Sequence, residues 1–198
     1  MSKVKICGLT RPEDIAAVNA VRPDYVGFVF AKSRRQVTPE QARKLKDLLA
    51  SGIPVVGVFV NAPVEEMVSL ARAGTIELIQ LHGGEDEATV RQVKAATGLP
   101  VIKAVSVRAA ADVDRWRASA ADFLLLDNGA GGTGKVFDWS LLPPLDRPWF
   151  LAGGLTEANI PEALKLSPYC LDISSGAETD GLKDKDKIRR IVEMIRKG

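Results

Sequence analysis

The sequence predicts a single closed (β/α)8 TIM barrel spanning residues 1–198, on the strength of three observations. Short β-branched apolar runs alternate eight times with longer amphipathic, Ala-rich stretches, and no composition shift or linker divides them. The apolar runs are nearly continuous, as strands covered on both faces must be. Polar, charged and glycine residues gather where these runs end, the rim on which such barrels carry their chemistry. An open doubly wound sheet is the alternative, but no GxGxxG opens a helix after the first run.

The eight strand runs fall near residues 4–7, 25–30, 55–60, 78–81, 101–105, 123–126, 149–152 and 171–174. Helical patterns follow at 12–21, 64–73, 85–97, 110–117, 157–166 and 184–197, with a short one after Trp139. The second helix opens at Thr38-Pro39-Glu40-Gln41, where a capping residue precedes proline and an acid in the first turn. About 200 residues is the lower size limit for this architecture, and the chain has 198.

Composition narrows the function classes. The chain is 46% hydrophobic and 26% charged with a formal net charge of +2, ordinary for a soluble domain. Acids and bases are interspersed, so nothing points to a nucleic-acid partner. No apolar run is long enough for a bilayer and no signal-peptide pattern is present, so the expectation is a cytoplasmic protein without a membrane partner. Cys7 and Cys170 form no CxxC pair and are expected as reduced thiols. His82 is the single histidine, which disfavours a multi-histidine metal site; the expectation is no metal and no cofactor.

The strand ends supply candidate chemistry. On the first strand Val4 and Ile6 share one face, which leaves Lys5 and Cys7 pointing into the barrel. A thiolate there could serve as a general base, and a nearby Lys5 ammonium would favour it; the bland reading of Cys7 is a small buried hydrophobe. Asp127 follows Phe123-Leu124-Leu125-Leu126 and points inward by alternation. Apolar surroundings would let it keep a proton as a general acid; an N-cap or loop carboxylate explains it equally well. After it comes the glycine-rich run 129–135. Gly153-Gly154 and Ser174-Ser175-Gly176 end the last two strands, where barrels often bind phosphate through exposed backbone N–H groups. Arg34-Arg35 is the densest positive cluster on the rim, and one of the two could grip a carboxylate. Lys103 and Asp172 also face inward and are expected as parts of interior ion pairs. His82 is read as structural, or as a donor beside Gln80, and Cys170 as structural.

KICGLT, GFVF with KSRR, VGVFVN, QLHG, IKAV, LLLD with GGTG and FDW, LAGGL and DISSGAE occur in this order over essentially the whole chain. Together they resemble the phosphoribosylanthranilate isomerase family of tryptophan biosynthesis, small (β/α)8 barrels. That resemblance implies the Amadori rearrangement of N-(5-phosphoribosyl)anthranilate to 1-(2-carboxyphenylamino)-1-deoxyribulose 5-phosphate, without metal or organic cofactor. It implies Cys7 as general base, Asp127 as general acid and Arg35 as the ligand of the anthranilate carboxylate. Gly153, Gly154, Ser174, Ser175 and Gly176 would bind the phosphate. The partner is then a small phosphorylated sugar–anthranilate molecule, and the enzyme a monomer or homodimer. The competing readings are a histidine-pathway or dual-substrate aminoaldose-phosphate isomerase, and a non-catalytic barrel that binds a phosphorylated ligand. The histidine-pathway family resembles this chain at the phosphate loops but carries an aspartate where Cys7 stands.

Overall fold

In the computed structural model, which describes residues 1–128 and 138–198, eight parallel strands close into a barrel. They are β1 (Lys3–Cys7), β2 (Tyr25–Val29), β3 (Val55–Phe59), β4 (Leu78–Leu81), β5 (Val101–Ser106), β6 (Phe123–Asp127), β7 (Trp149–Leu151) and β8 (Cys170–Ile173). The strands pair in chain order, and β8 returns to β1 with Lys5 opposite Asp172. This excludes the open-sheet alternative. The outer layer is α1 (Pro12–Val21), α2 (Pro39–Leu48), α3 (Val64–Arg72), α4 (Glu87–Thr97), α5 (Ala110–Asp114), α6 (Ile160–Lys165) and α7 (Lys185–Lys197). The short sixth helical stretch is a single 3-10 turn, Trp139–Leu141. The glycine-rich run 129–135 lies outside the described residues.

Local chemistry sets most helix starts. Thr38 Oγ1 accepts from Gln41 N while Gln41 Oε1 accepts from Thr38 N, a reciprocal cap for α2. Asp184 accepts from Asp186 N and Lys187 N at the start of α7. Three helices are shorter than the pattern implies by two residues or more. α4 starts at Glu87 because Asp86 is its cap and Glu85 is drawn into a buried ion pair with Lys103. α6 starts at Ile160 because Asn159 turns back to bond Thr156 N and the Gly154 carbonyl. α5 ends at Asp114, and Arg115 to Arg117 continue only as turns.

One segment escapes the helix-and-strand alternation. After β8 a 3-10 turn, Ser175–Ala177, leads into a hairpin of β9 (Glu178–Thr179) and β10 (Leu182–Lys183). Asp180 and Gly181 both have positive φ, as a tight type I′ hairpin turn requires.

Alternation splits the core in two. Val4, Ile6, Val55 and Ile79 face outward and pack on Ile15, Val18, Met67, Val93 and Ile191 of the helices. Tyr25, Val56, Leu78, Ile102, Leu125, Phe150 and Cys170 fill the barrel. At its N-terminal end Tyr25, Phe123, Phe150 and Tyr169 form a plug with ring centroids 5.2–5.8 Å apart. Lys3 Nζ lies 5.0 Å from the Tyr169 ring centre. Full burial of a ring such as Phe150 contributes roughly 1.5–3 kcal/mol, so the closed end is firmly packed.

Candidate active site

A cavity of about 260 Å³ opens at the C-terminal ends of the strands. Cys7, Arg35, Asp127, Gly153, Gly154, Ser174 and Ser175 all line it, together with Gln80, His82 and Asp172. Gly176 does not. A methyl built there would lie 1.9 Å from the Leu155 carbonyl oxygen, so this glycine lets the loop after β8 press against the loop after β7.

Cys7 is the last residue of β1 and its thiol is free and buried. The residue opposite it on β2 is Gly27, where a methyl would stand 2.6 Å from Sγ. Burial pushes the Cys7 thiol up, and Asp172 adds to that, against the opposing charges of Lys5 and Lys183. Lys5 does draw the thiol toward the thiolate, as its position on the strand implies, but burial outweighs that pull. Its ammonium is wholly buried, 2.8 Å from Asp172 and 2.6 Å from Gln80 Oε1, so most of its charge is answered there. Lys103 is likewise paired, with Glu85 at 2.8 Å.

Asp127 ends β6 and points into the cavity, as alternation from Phe123 and Leu125 implies. Its surroundings are not apolar. Oδ1 accepts from Asn128 N at 2.5 Å, and Oδ2 lies 3.2 Å from His82 Nε2. The other ring nitrogen of His82 lies 2.8 Å from Gln80 Nε2. Gly153 has φ +87° and a methyl on it would stand 2.5 Å from Asp127 Oδ1, so glycine is required beside the carboxyl.

The two arginines share a carboxylate. Arg35 donates from Nε and Nη2 to the two oxygens of Glu178 at 2.6 and 3.0 Å, and Arg34 Nη2 donates to the same residue at 2.5 Å. Lys183 Nζ also donates to Glu178, at 2.6 Å, and to the Ser174 carbonyl at 3.0 Å. Burial alone would raise the Glu178 carboxyl, but the bonds from Arg35 and Lys183 hold it below the usual carboxylate range. Burial pushes the Lys183 ammonium down, against the pull of Glu178. Three cations meet one carboxylate here, so this side of the mouth is electropositive. Arg35 is 13% exposed and lines the cavity, whereas Arg34 is 55% exposed and does not.

Glu178 and Lys183 escape sequence reasoning because they sit on two-residue strands with too few positions to show a period. The Asp180-Gly181 pair between them is the available signal.

Residues 4–194 match the family model for N-(5'-phosphoribosyl)anthranilate (PRA) isomerase. The N-(5'-phosphoribosyl)anthranilate isomerase of Endomicrobium trichonymphae is 48% identical over 201 residues, covering 99% of each chain. The crystal structure of phosphoribosyl anthranilate isomerase from Thermus thermophilus superposes with a TM-score of 0.90 at 36% identity, over 98% of each chain. A phosphoribosyl anthranilate isomerase in complex with reduced 1-(o-carboxyphenylamino)-1-deoxyribulose 5-phosphate superposes with a TM-score of 0.85 at 34% identity, over 100% of each chain. With its closed barrel and its strand-end thiol and carboxylate facing one cavity, this chain belongs to the N-(5'-phosphoribosyl)anthranilate isomerase family.

Proposed function

We propose that the chain catalyses the Amadori rearrangement of N-(5-phosphoribosyl)anthranilate to 1-(2-carboxyphenylamino)-1-deoxyribulose 5-phosphate in tryptophan biosynthesis, with Cys7 as base and Asp127 as acid. The observation that carries the assignment of roles is that one cavity presents the Cys7 thiol from β1 and the Asp127 carboxyl from β6, strands far apart around the barrel. The flanking groups fit the two ends of such a substrate. Arg35 stands at the electropositive side for the anthranilate carboxylate, and Gly153, Gly154, Ser174 and Ser175 offer donors for the phosphate. Gripping both ends lowers the entropic cost of aligning the reacting carbons. Gly176 serves by letting the two loops meet.

In this mechanism Asp127 gives its proton to the furanose ring oxygen. The bond from that oxygen to C1 breaks, and the nitrogen lone pair forms the C1=N bond of a Schiff base. The Cys7 thiolate then takes the C2 proton; the C–H electron pair forms C1=C2 and the C1=N pair returns to nitrogen. The enolamine so formed gains a proton at C1 and loses its hydroxyl proton at C2, giving the ketone. The high proton affinity that burial gives the Cys7 thiol suits removal of a weakly acidic C–H proton once the thiolate has formed.

We read residues 1–198 as one catalytic domain of a cytoplasmic monomer or homodimer; among the described residues no helix is long and apolar enough to cross a membrane. Turnover is measurable as loss of anthranilate-type fluorescence. The wild-type chain is expected to consume the substrate, and Asp127→Asn to lose about 10²–10⁴-fold in kcat while still binding it. Near-normal turnover by Asp127→Asn, or none by the wild type, would reject the assignment, and Cys7→Ser is the matching control for the base.

A further inference from the structure

A file of polar groups crosses the barrel along the floor of the cavity, from β8 to β6: Asp172, Lys5, Gln80, His82 and Asp127. Its links are Lys5 Nζ to Asp172 Oδ2 at 2.8 Å, Lys5 Nζ to Gln80 Oε1 at 2.6 Å, and Gln80 Nε2 to His82 Nδ1 at 2.8 Å. The last is His82 Nε2 to Asp127 Oδ2 at 3.2 Å. Lys5 and Gln80 are buried, so neither exchanges its partner for bulk water.

The chemistry of each group sets the direction of the next bond. An ammonium only donates, so the Gln80 atom facing Lys5 must be the amide oxygen. The Gln80 nitrogen then faces His82, and an amide NH₂ only donates. His82 Nδ1 must accept, and the ring proton resides on Nε2, directed at Asp127.

We propose that Gln80, locked by the Lys5–Asp172 pair, is a positioning residue that fixes His82 as its Nε2–H tautomer and thereby orients Asp127. A ring protonated on both nitrogens would set an Nδ1–H against the Gln80 amide hydrogens and lose that bond. The Nε2–H then donates to Asp127 Oδ2 and, with Asn128 N on Oδ1, holds the carboxyl in one orientation at the cavity. This rests on the reading of Asp127 as the acid.

Because His82 is the single histidine, ¹⁵N NMR of the labelled chain reads its ring without ambiguity. The wild-type ring is expected to show a protonated Nε2 and a bare Nδ1. Gln80→Glu keeps the size and the Lys5 contact but replaces the donor with an acceptor. It is expected to bring a proton to Nδ1 and to lower kcat by about 10- to 100-fold, the cost of losing one hydrogen bond to a charged group, with KM changed far less. Gln80→Leu, which removes the donor without reversing it, is expected to give a mixture of tautomers and a smaller loss in kcat. A wild-type ring protonated at Nδ1 would overturn the proposal. So would a Gln80→Glu enzyme whose tautomer moves while kcat stays at the wild-type value. Failure of the acid assignment itself is read separately, from Asp127→Asn.

Discussion

Arg34 and Arg35 are adjacent in sequence and bond the same carboxylate, yet they differ in what they leave available. Arg35 has its Nε–Nη2 edge on Glu178 and lies in the cavity, over Gly8, where a methyl would stand 2.4 Å from Arg35 Cδ. On the proposed reading, its Nη1 end takes the substrate carboxylate. Arg34 is mostly in solvent, where an ion pair contributes little. Arg35→Ala is therefore expected to raise KM by about 10- to 100-fold, the cost of a charge-assisted hydrogen bond, and Arg34→Ala to change it only slightly. Steady-state kinetics on both variants checks this; equal effects would assign the carboxylate to the wrong arginine. At this scale, strand parity is enough to aim Cys7 and Asp127 inward. It cannot show that Asp172, 167 residues away, answers the charge on Lys5, because that pairing exists only once β8 closes onto β1.

The elements matter through their ends. The loop after β7 must pass Asp127 with its backbone at φ +87° at Gly153 and +67° at Gly154. An alanine at Gly153 would take a conformation that costs about 1–2 kcal/mol and would put its methyl 2.5 Å from the acid's Oδ1. Gly153→Ala is expected to remain folded by circular dichroism but to lose more than about tenfold in kcat, equivalent to moving the transition state by roughly 1.4 kcal/mol. A kcat within twofold of the wild type would show that the carboxyl does not need the space. The double glycine was legible as a loop signal. Its service to Asp127 was not, because β6 and β7 meet only by pairing in the barrel. The hairpin after β8 shows the same limit from the other side: two strands of two residues carry no period, yet they bring Glu178 to Arg35.

For the molecule as a whole, buried charge ties stability to pH. Burial works against the carboxyls of Glu85 and Glu178, but the bonds they accept outweigh it and hold both below the ordinary glutamate value of 4.5. The unfolded chain thus binds protons at these groups more readily than the fold does. Their stabilisation is fully present above 4.5 and is lost as pH falls through their lower folded values. Glu85→Gln should make the fall of Tm between about pH 5 and 3 shallower than in the wild type, measured by thermal denaturation across that range. An unchanged slope would mean that the Glu85–Lys103 pair takes no part in acid unfolding.

The sequence by itself determined the eightfold alternation, the closed barrel, the inward direction of Cys7 and Asp127 and the family to which the motifs point. These are local or periodic properties, written in the spacing of apolar residues and in what ends each run. Only the tertiary structure decided which charges answer which. It set Lys5 on Asp172 and Gln80, three cations on Glu178, and His82 between Gln80 and the acid. The physical reason is that hydrogen bonds and ion pairs act over about 3 Å, and the groups that make them come within that reach only when the barrel closes.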